Sequence, residues 1–188
     1  MPKDRFQQLL AAARAGEERA WAEIYDELAP AVLGYLRARS APEPEDLTGE
    51  VFLQVVRDLE RFDGGWSGFR AWVLTIAHHR LLDAGRHRSR RPVDPVPEPP
   101  EPPAPPGTPT LDVEAEAVAR LGLERALELI GELSSDQQSV LVLRIVADLS
   151  VEEVARVLGK RRGAVKQLQR RGLAALRRRL EREEDVSL

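Results

Sequence analysis

Val51, Phe52, Val55, Val56, Leu59 and Phe62 fall at i, i+1, i+4, i+5, i+8 and i+11, the spacing of one apolar α-helix face. Trp21, Ile24, Tyr25 and Leu28 repeat the spacing upstream, followed by Val32, Leu33 and Leu36. Phe69, Trp72, Val73, Ile76 and Ala77 continue it downstream. Prolines at 42 and 44, and the stretch DGGWSG from Asp63 to Gly68, punctuate the pattern. The first half of the chain therefore predicts about four helices in a compact bundle.

The second half gives a finer signal. Leu123, Leu127, Ile130 and Leu133 line one helix, and Ser134 or Ser135 caps the next, which carries Val140, Leu141, Arg144 and Ile145. Ser150 and Glu153 have capping-box spacing, in which the hydroxyl takes the N3 amide and the carboxylate returns to the cap amide. The short helix behind this box bears Val151, Val154, Ala155 and Leu158, and Gly159 is placed to end it in the left-handed conformation. A further helix starts near Arg162 with Val165, Leu168, Gly172 and Leu176. A short helix, a glycine turn and a second helix with a basic exposed face form the helix-turn-helix pattern.

Between the halves, residues 92 to 109 hold ten of the fourteen prolines. Proline fixes φ and removes the amide donor, so this stretch reads as an extended linker. The expected organisation is all-α. A helical bundle spans 1–91, an acidic proline-rich linker 92–119, a helix-turn-helix unit 120–182 and a tail 183–188.

Charge sharpens this picture. The net charge of −3 hides eleven Lys or Arg between Arg156 and Arg182, against the single acid Glu181, a local balance of +10. A second basic cluster, Arg80, Arg86, Arg88, Arg90 and Arg91 with Asp83, carries +4. Two basic segments at the ends of helical units suggest two places that touch a polyanion.

In a helix-turn-helix the second helix presents its N-terminal residues to base edges in the major groove. Lys160, Arg161, Arg162, Lys166, Gln167 and Arg170 stand where donors are needed. Arg and Lys pair with guanine edges and Gln with adenine, while most of the cluster would hold phosphates. In the other segment Trp66, Phe69 and Trp72 precede His78, His79, Arg80, Arg86 and Arg88. Aromatic faces beside cations suit unstacked single-stranded bases. Phe69 and Trp72, at helical spacing, read more simply as core, and Trp66, bracketed by glycines, is the better candidate for exposure.

With no cysteine there is no disulfide framework, and a reducing compartment is permitted. No signal-peptide pattern and no apolar run near the ~20 residues of a membrane span are present, so a soluble, cytoplasmic protein is expected. His79 and Asp83 could supply two metal ligands, but too few further ligands exist for a site. No phosphate loop, nucleophile elbow or HExxH motif appears, and neither a cofactor nor an enzymatic activity is expected.

The blocks WAEIYDELAPAVLGYLRAR, EDLTGEVFLQVVRDLERF and FRAWVLTIAHHRLLDAGRHRSRR occur in that order, followed after the linker by LSSDQQSVLVLRIVADLSVEEVARVLGKRRGAVKQLQRRGLAALRRRL. Together they resemble the extracytoplasmic-function group of the sigma-70 family. The resemblance implies two helical domains, sigma-two and sigma-four, and the task of promoter recognition and strand opening for core RNA polymerase. It implies docking on the polymerase β′ clamp helices through Asp46, Leu47, Glu50, Phe52 and Leu53, with a further contact to the β flap. It implies duplex minus-thirty-five recognition by the C-terminal basic residues. Melted minus-ten recognition would fall to Trp66, His79, Arg80, Asp83, Arg86 and Arg88, with Asp63 to Gly68 as the base-capturing loop.

An anti-sigma factor is the further partner the resemblance implies. An alternative is self-inhibition, in which the acidic linker folds back on the C-terminal arginines. The chain departs from the family pattern at Gly49 (usually Gln), at His79 (often Asn), and at Arg161 and Ala164 (usually Ser and Thr). Two other functions remain open on sequence grounds. One is a stand-alone helix-turn-helix regulator, which would want a dimerisation or ligand-sensing segment. The other is a pure interaction module, which would leave the +10 segment unexplained.

Overall fold

The computed structural model describes residues 2–90, 125–126 and 128–186, and among these only helices and turns occur. The expected linker at 92–119 lies outside the described residues. Helix α1 (Lys3–Arg14) was not read from the sequence. Its Phe6, Leu9, Leu10 and Ala13 are all buried, at the i, i+3, i+4, i+7 spacing of a core-facing stripe. Helix α2 (Glu18–Ala38) is continuous through Pro30, losing only one amide there. Helix α3 (Pro44–Asp58) starts with proline at its first position, where the missing amide costs nothing. A 3-10 turn (Leu59–Arg61) leads to α4 (Trp66–Arg90). These four helices enclose Phe6, Ile24, Tyr35, Leu36, Val51, Val55, Phe69 and Leu74, all essentially without solvent contact.

The apolar pattern overstated the core in one place. Tyr25 and Val56 belong to the helical stripes, yet are 46% and 50% exposed. Helices α2 and α4 cover the side of α3 that carries Leu47, Val51 and Val55. Val56 points away with Gly49 and Leu53.

In the C-terminal unit, residues 128–131 are helical and are followed by α5 (Ser135–Ile145), α6 (Val151–Val157) and α7 (Arg162–Val186). Helix α7 runs four residues past the boundary expected at 182. Ser134 is the N-cap of α5, and its amide donates to Gln137 Oε1 at 3.2 Å. At α6 the capping box is complete: the Glu153 amide donates to Ser150 Oγ at 3.2 Å and the Ser150 amide to Glu153 Oε2 at 2.6 Å. Gly159 takes φ +61°, turning the chain so that the Lys160 amide reaches Ala155 O at 2.9 Å.

The two units touch. Helix α4 packs on α6, and α2 meets α5, so buried apolar residues of both units form one continuous cluster. Nothing crowds a side chain at Gly159, so its role is conformational. Gly159→Ala should lower stability by about 1–2 kcal/mol from the left-handed backbone alone. Gly159→Asn should lose less, which urea unfolding of the two variants will measure.

Candidate nucleic-acid interface

The turn after α6 delivers the basic start of α7. Arg161, Arg162, Lys166, Gln167 and Arg170 are exposed, and Lys160 is half-buried. Lys160 Nζ pairs with Asp136 at 2.8 Å and Arg162 with Glu152. Both acids are exposed, and surface pairs of this kind contribute little, so a phosphate or a base edge can displace them. Arg161, Lys166, Gln167 and Arg170 project from one end of the unit together with this pair. The six residues expected from the sequence are therefore brought together.

The second expected site is rearranged. Trp66 is not an exposed loop residue: it is the first residue of α4 and is half-buried. Its ring lies 5.5 Å from that of Phe6 and stacks on Phe69 at 6.2 Å. Helix α1, invisible in the sequence pattern, supplies Phe6 and so claims the indole for the core. The loop expected over Asp63 to Gly68 shortens to Asp63–Gly65, because the Phe69 amide already closes a helical turn on Gly65 O at 3.0 Å. Further along α4, His79, Asp83 and Arg86 are exposed, and Arg86 pairs with Asp83 at 2.9 Å. Arg80 is held at 3.5 Å from Glu50 and donates to Gln54 Oε1 at 3.1 Å. Arg88 follows near the end of the same helix.

On α3, Asp46 and Glu50 are exposed and Leu53 is 58% exposed, whereas Leu47 and Phe52 are buried. Phe52 backs the surface through a 4.6 Å ring contact with Tyr25. Only Asp46, Glu50 and Leu53 of the five expected docking residues are therefore open to a partner. A side chain at Gly49 would meet open space, so its departure from the family pattern leaves a flat spot beside Leu53.

A third group of polar residues, with no sequence signal for its association, lies where the units meet. Tyr35 Oη hydrogen-bonds His78 Nδ1 at 2.7 Å, and burial raises the phenol's pKa against the opposing influence of Arg39, just past the end of α2, and Ser139 of α5. Arg39 also donates to Ser135 Oγ at 2.8 Å. Ser67, in the first turn of α4, donates to Glu153 Oε1 at 2.5 Å, and Arg70 donates to the Ala147 carbonyl. Burial pushes the Glu153 carboxyl up, but hydrogen bonds from Ser67 and Ser150, with the charge of Arg70, outweigh it and hold the group below its ordinary range. Burial, reinforced by His79, Arg39 and Lys160 against the opposing charge of Asp136, lowers His78 to about 4. Among the described residues no cluster of His, Asp and Glu could hold a metal ion.

His78 therefore sets a pH dependence with a definite sign. Its pKa is depressed from 6.5 to about 4, so the stability it contributes is present above 6.5 and is lost as pH falls toward 4. His78→Gln keeps a group able to bond Tyr35 but does not titrate. Thermal unfolding of the wild type should decline from pH 6.5 to 4.5 more steeply than that of His78→Gln. Parallel curves would show that His78 is hydrated in solution.

A family model described as Sigma-70 region 2 matches residues 24–91, and one described as Sigma-70, region 4 matches residues 129–178. The chain is 33% identical over 184 residues to the ECF RNA polymerase sigma factor SigD of Mycobacterium tuberculosis, covering 94% of this chain and 84% of SigD. It is 32% identical over 176 residues to the ECF RNA polymerase sigma factor BldN of Streptomyces coelicolor, covering 93% of this chain but only 65% of BldN. Among solved structures, CnrH in complex with the cytosolic domain of CnrY superposes with a TM-score of 0.67 at 25% identity, over 94% of this chain and 97% of CnrH. The sigma factor RpoE from Bartonella quintana, solved with the anti-sigma factor NepR, shares the fold at 19% identity, with a TM-score of 0.63 over 86% of this chain and 96% of RpoE. No described helix is long and apolar enough to cross a membrane. Paired region 2 and region 4 matches, a capped helix-turn-helix and relatives along almost the whole chain place this protein in the extracytoplasmic-function sigma factors of the sigma-70 family.

Proposed function

We propose that this sigma factor acts in the cytoplasm, binding core RNA polymerase and reading the two promoter elements in different physical states. The duplex minus-thirty-five element is assigned to Lys160, Arg161, Arg162, Lys166, Gln167 and Arg170. The melted minus-ten strand is assigned to α4, at His79, Arg80, Asp83, Arg86 and Arg88. Trp66 acts behind that surface, as part of the aromatic packing that fixes the start of α4. The functional domains are taken as 1–91 and from 120 to the end of α7. The carrying observation is that the start of α7 shows a cluster of exposed cations behind a fully formed capping box and glycine turn. Phosphate neutralisation dominates nucleic-acid affinity, and this geometry aims the cluster outward. A stand-alone regulator is disfavoured because it gives no role to the apolar surface on α3.

Polymerase docking is assigned to that surface, Leu53 flanked by Asp46 and Glu50, on the β′ clamp helices, with the C-terminal unit meeting the β flap. An anti-sigma factor is the further partner we propose, consistent with the complex of RpoE and NepR. Leu53 already faces water, so Leu53→Asp should leave the fold intact. At the centre of an apolar contact the new carboxylate should weaken core binding by at least ~2 kcal/mol, roughly 30-fold. Co-elution of the folded variant with core enzyme at wild-type strength would refute the docking assignment.

Arg162 and Lys166 lie one turn apart at the start of α7 and are assigned to base edges. Alanine at either should relax preference at one base pair, whereas alanine at Arg170 should weaken all sequences alike and reduce the salt slope by about one. Titrations against a set of single-base operator variants at two salt concentrations separate the two behaviours. Uniform weakening by all three changes would reduce α7 to a phosphate clamp.

A further inference from the structure

The fold makes little use of Glu152. The capping box of α6 is closed by Ser150 and Glu153, and Glu152, one position earlier, takes no part in it. Its side chain is 48% exposed, and its carboxylate pairs with Arg162, the first residue of α7. An acid in the first turn of a helix contributes only a few tenths of a kcal/mol when exposed. Glu152 does, however, put a negative charge inside the cluster assigned to DNA, where phosphates repel it. A group that opposes the dominant contribution to affinity needs another role, and the geometry of the pair supplies one.

A guanidinium holds its N–H donors in one plane. Glu152 Oε1 meets Nη2 of Arg162. Nη2 carries two hydrogens, so a carboxylate on one leaves the other, which lies beside a hydrogen of Nη1 along the outer edge of the group. That outer edge is a pair of parallel donors, the arrangement that fits O6 and N7 of guanine. The Arg162 side chain remains 65% exposed while paired. A base edge can displace Glu152, but it can also be engaged with the pair intact. A phosphate has no such option, because it would bring a second anion against the carboxylate.

We propose that Glu152 is a positioning residue for base recognition: it grips one side of the Arg162 guanidinium, presents the outer edge to a guanine, and keeps a phosphate from holding the same arginine. The inference rests on the assignment of Arg162 to a base edge. A long side chain already fixed before contact loses less freedom on binding, and the charge-assisted pair is what fixes it. Lys160 gives the contrast. Its partner Asp136 lies at the start of α5, its side chain is only 29% exposed, and an ammonium is a point charge with no edge to orient.

The test uses the full-length protein bound to core enzyme, titrated with duplexes that carry each single-base change in the minus-thirty-five element. Glu152→Ala keeps the capping box and puts a strong helix former into α6, so the unit should fold. Preference at the base pair that Arg162→Ala relaxes should fall by roughly 3- to 10-fold. Preference at the base pair read by Lys166 should not change, since Lys166 is not part of the pair. A duplex with the whole element scrambled should bind at least as tightly as to wild type, because a carboxylate facing phosphates has gone. Loss of a merely structural charge would instead weaken every duplex together.

A double-mutant cycle completes the test. In the Arg162→Ala background, Glu152→Ala should leave base preference where it was, because no guanidinium remains to be oriented. Unchanged preference in Glu152→Ala, beside relaxed preference in Arg162→Ala, would overturn the positioning role and leave the promoter reading standing. Uniform weakening of all duplexes by Glu152→Ala, or an equal effect with Arg162 absent, would overturn it as well. No relaxation in Arg162→Ala itself would contradict the base-edge assignment, and the inference with it.

Discussion

Helix α4 has to be a wall for two cores at once, and the rest of the molecule follows from that constraint. Its buried positions Phe69, Val73, Ala77, Leu81, Leu74 and Ala71 sweep roughly 200° around the helix at 100° per residue. A helix serving a single core needs an apolar stripe of a little over 100°. The N-terminal bundle uses one side of this broad stripe, and α6 of the helix-turn-helix unit takes part of the remainder. What is left is roughly 160° of the helix, and there His79, Asp83 and Arg86, three of the candidate strand-reading residues, are exposed.

The same economy links α3 to α4. Arg80 spans from α4 to Glu50 and Gln54 on α3, beside the exposed Leu53. A partner that presses on the α3 surface thus lies one ion pair from the residues assigned to the melted strand. In the C-terminal unit Glu153 has the corresponding position, capping α6 with one oxygen and meeting Ser67 with the other. The basic residues at the start of α7 stand apart from both connections; among them Lys160 and Arg162 are held by surface pairs.

Local features were legible in the sequence because their physics is local. The Ser150–Glu153 box, the left-handed Gly159 and the start of α7 at Arg162 all depend on residues within a few positions of each other. Contacts between distant segments were not legible. Trp66 is 60 residues from Phe6 in the chain, and nothing near it indicates that α1 will cover its ring. Tyr35 and His78 meet across 43 residues, Ser67 and Glu153 across 86. In the sequence His78 reads only as part of the basic segment that follows Trp66, Phe69 and Trp72, and Glu153 only as a helix cap. Val56 and Tyr25 were misread for the opposite reason: periodicity marks an apolar face but does not say whether a neighbour covers it. Their exposure beside Leu53 is better explained by a partner's surface than by the chain's own core.

The central claim is that the chain confers promoter-specific initiation on a polymerase that lacks it. Run-off transcription with purified core enzyme, on a template whose promoter is recovered by selection with this protein, tests that claim most directly. The account predicts a transcript of one discrete length only when the protein is added, and its loss when the duplex minus-thirty-five element is scrambled. A discrete transcript from core enzyme alone, or none in the presence of protein that co-elutes with the core, would contradict it.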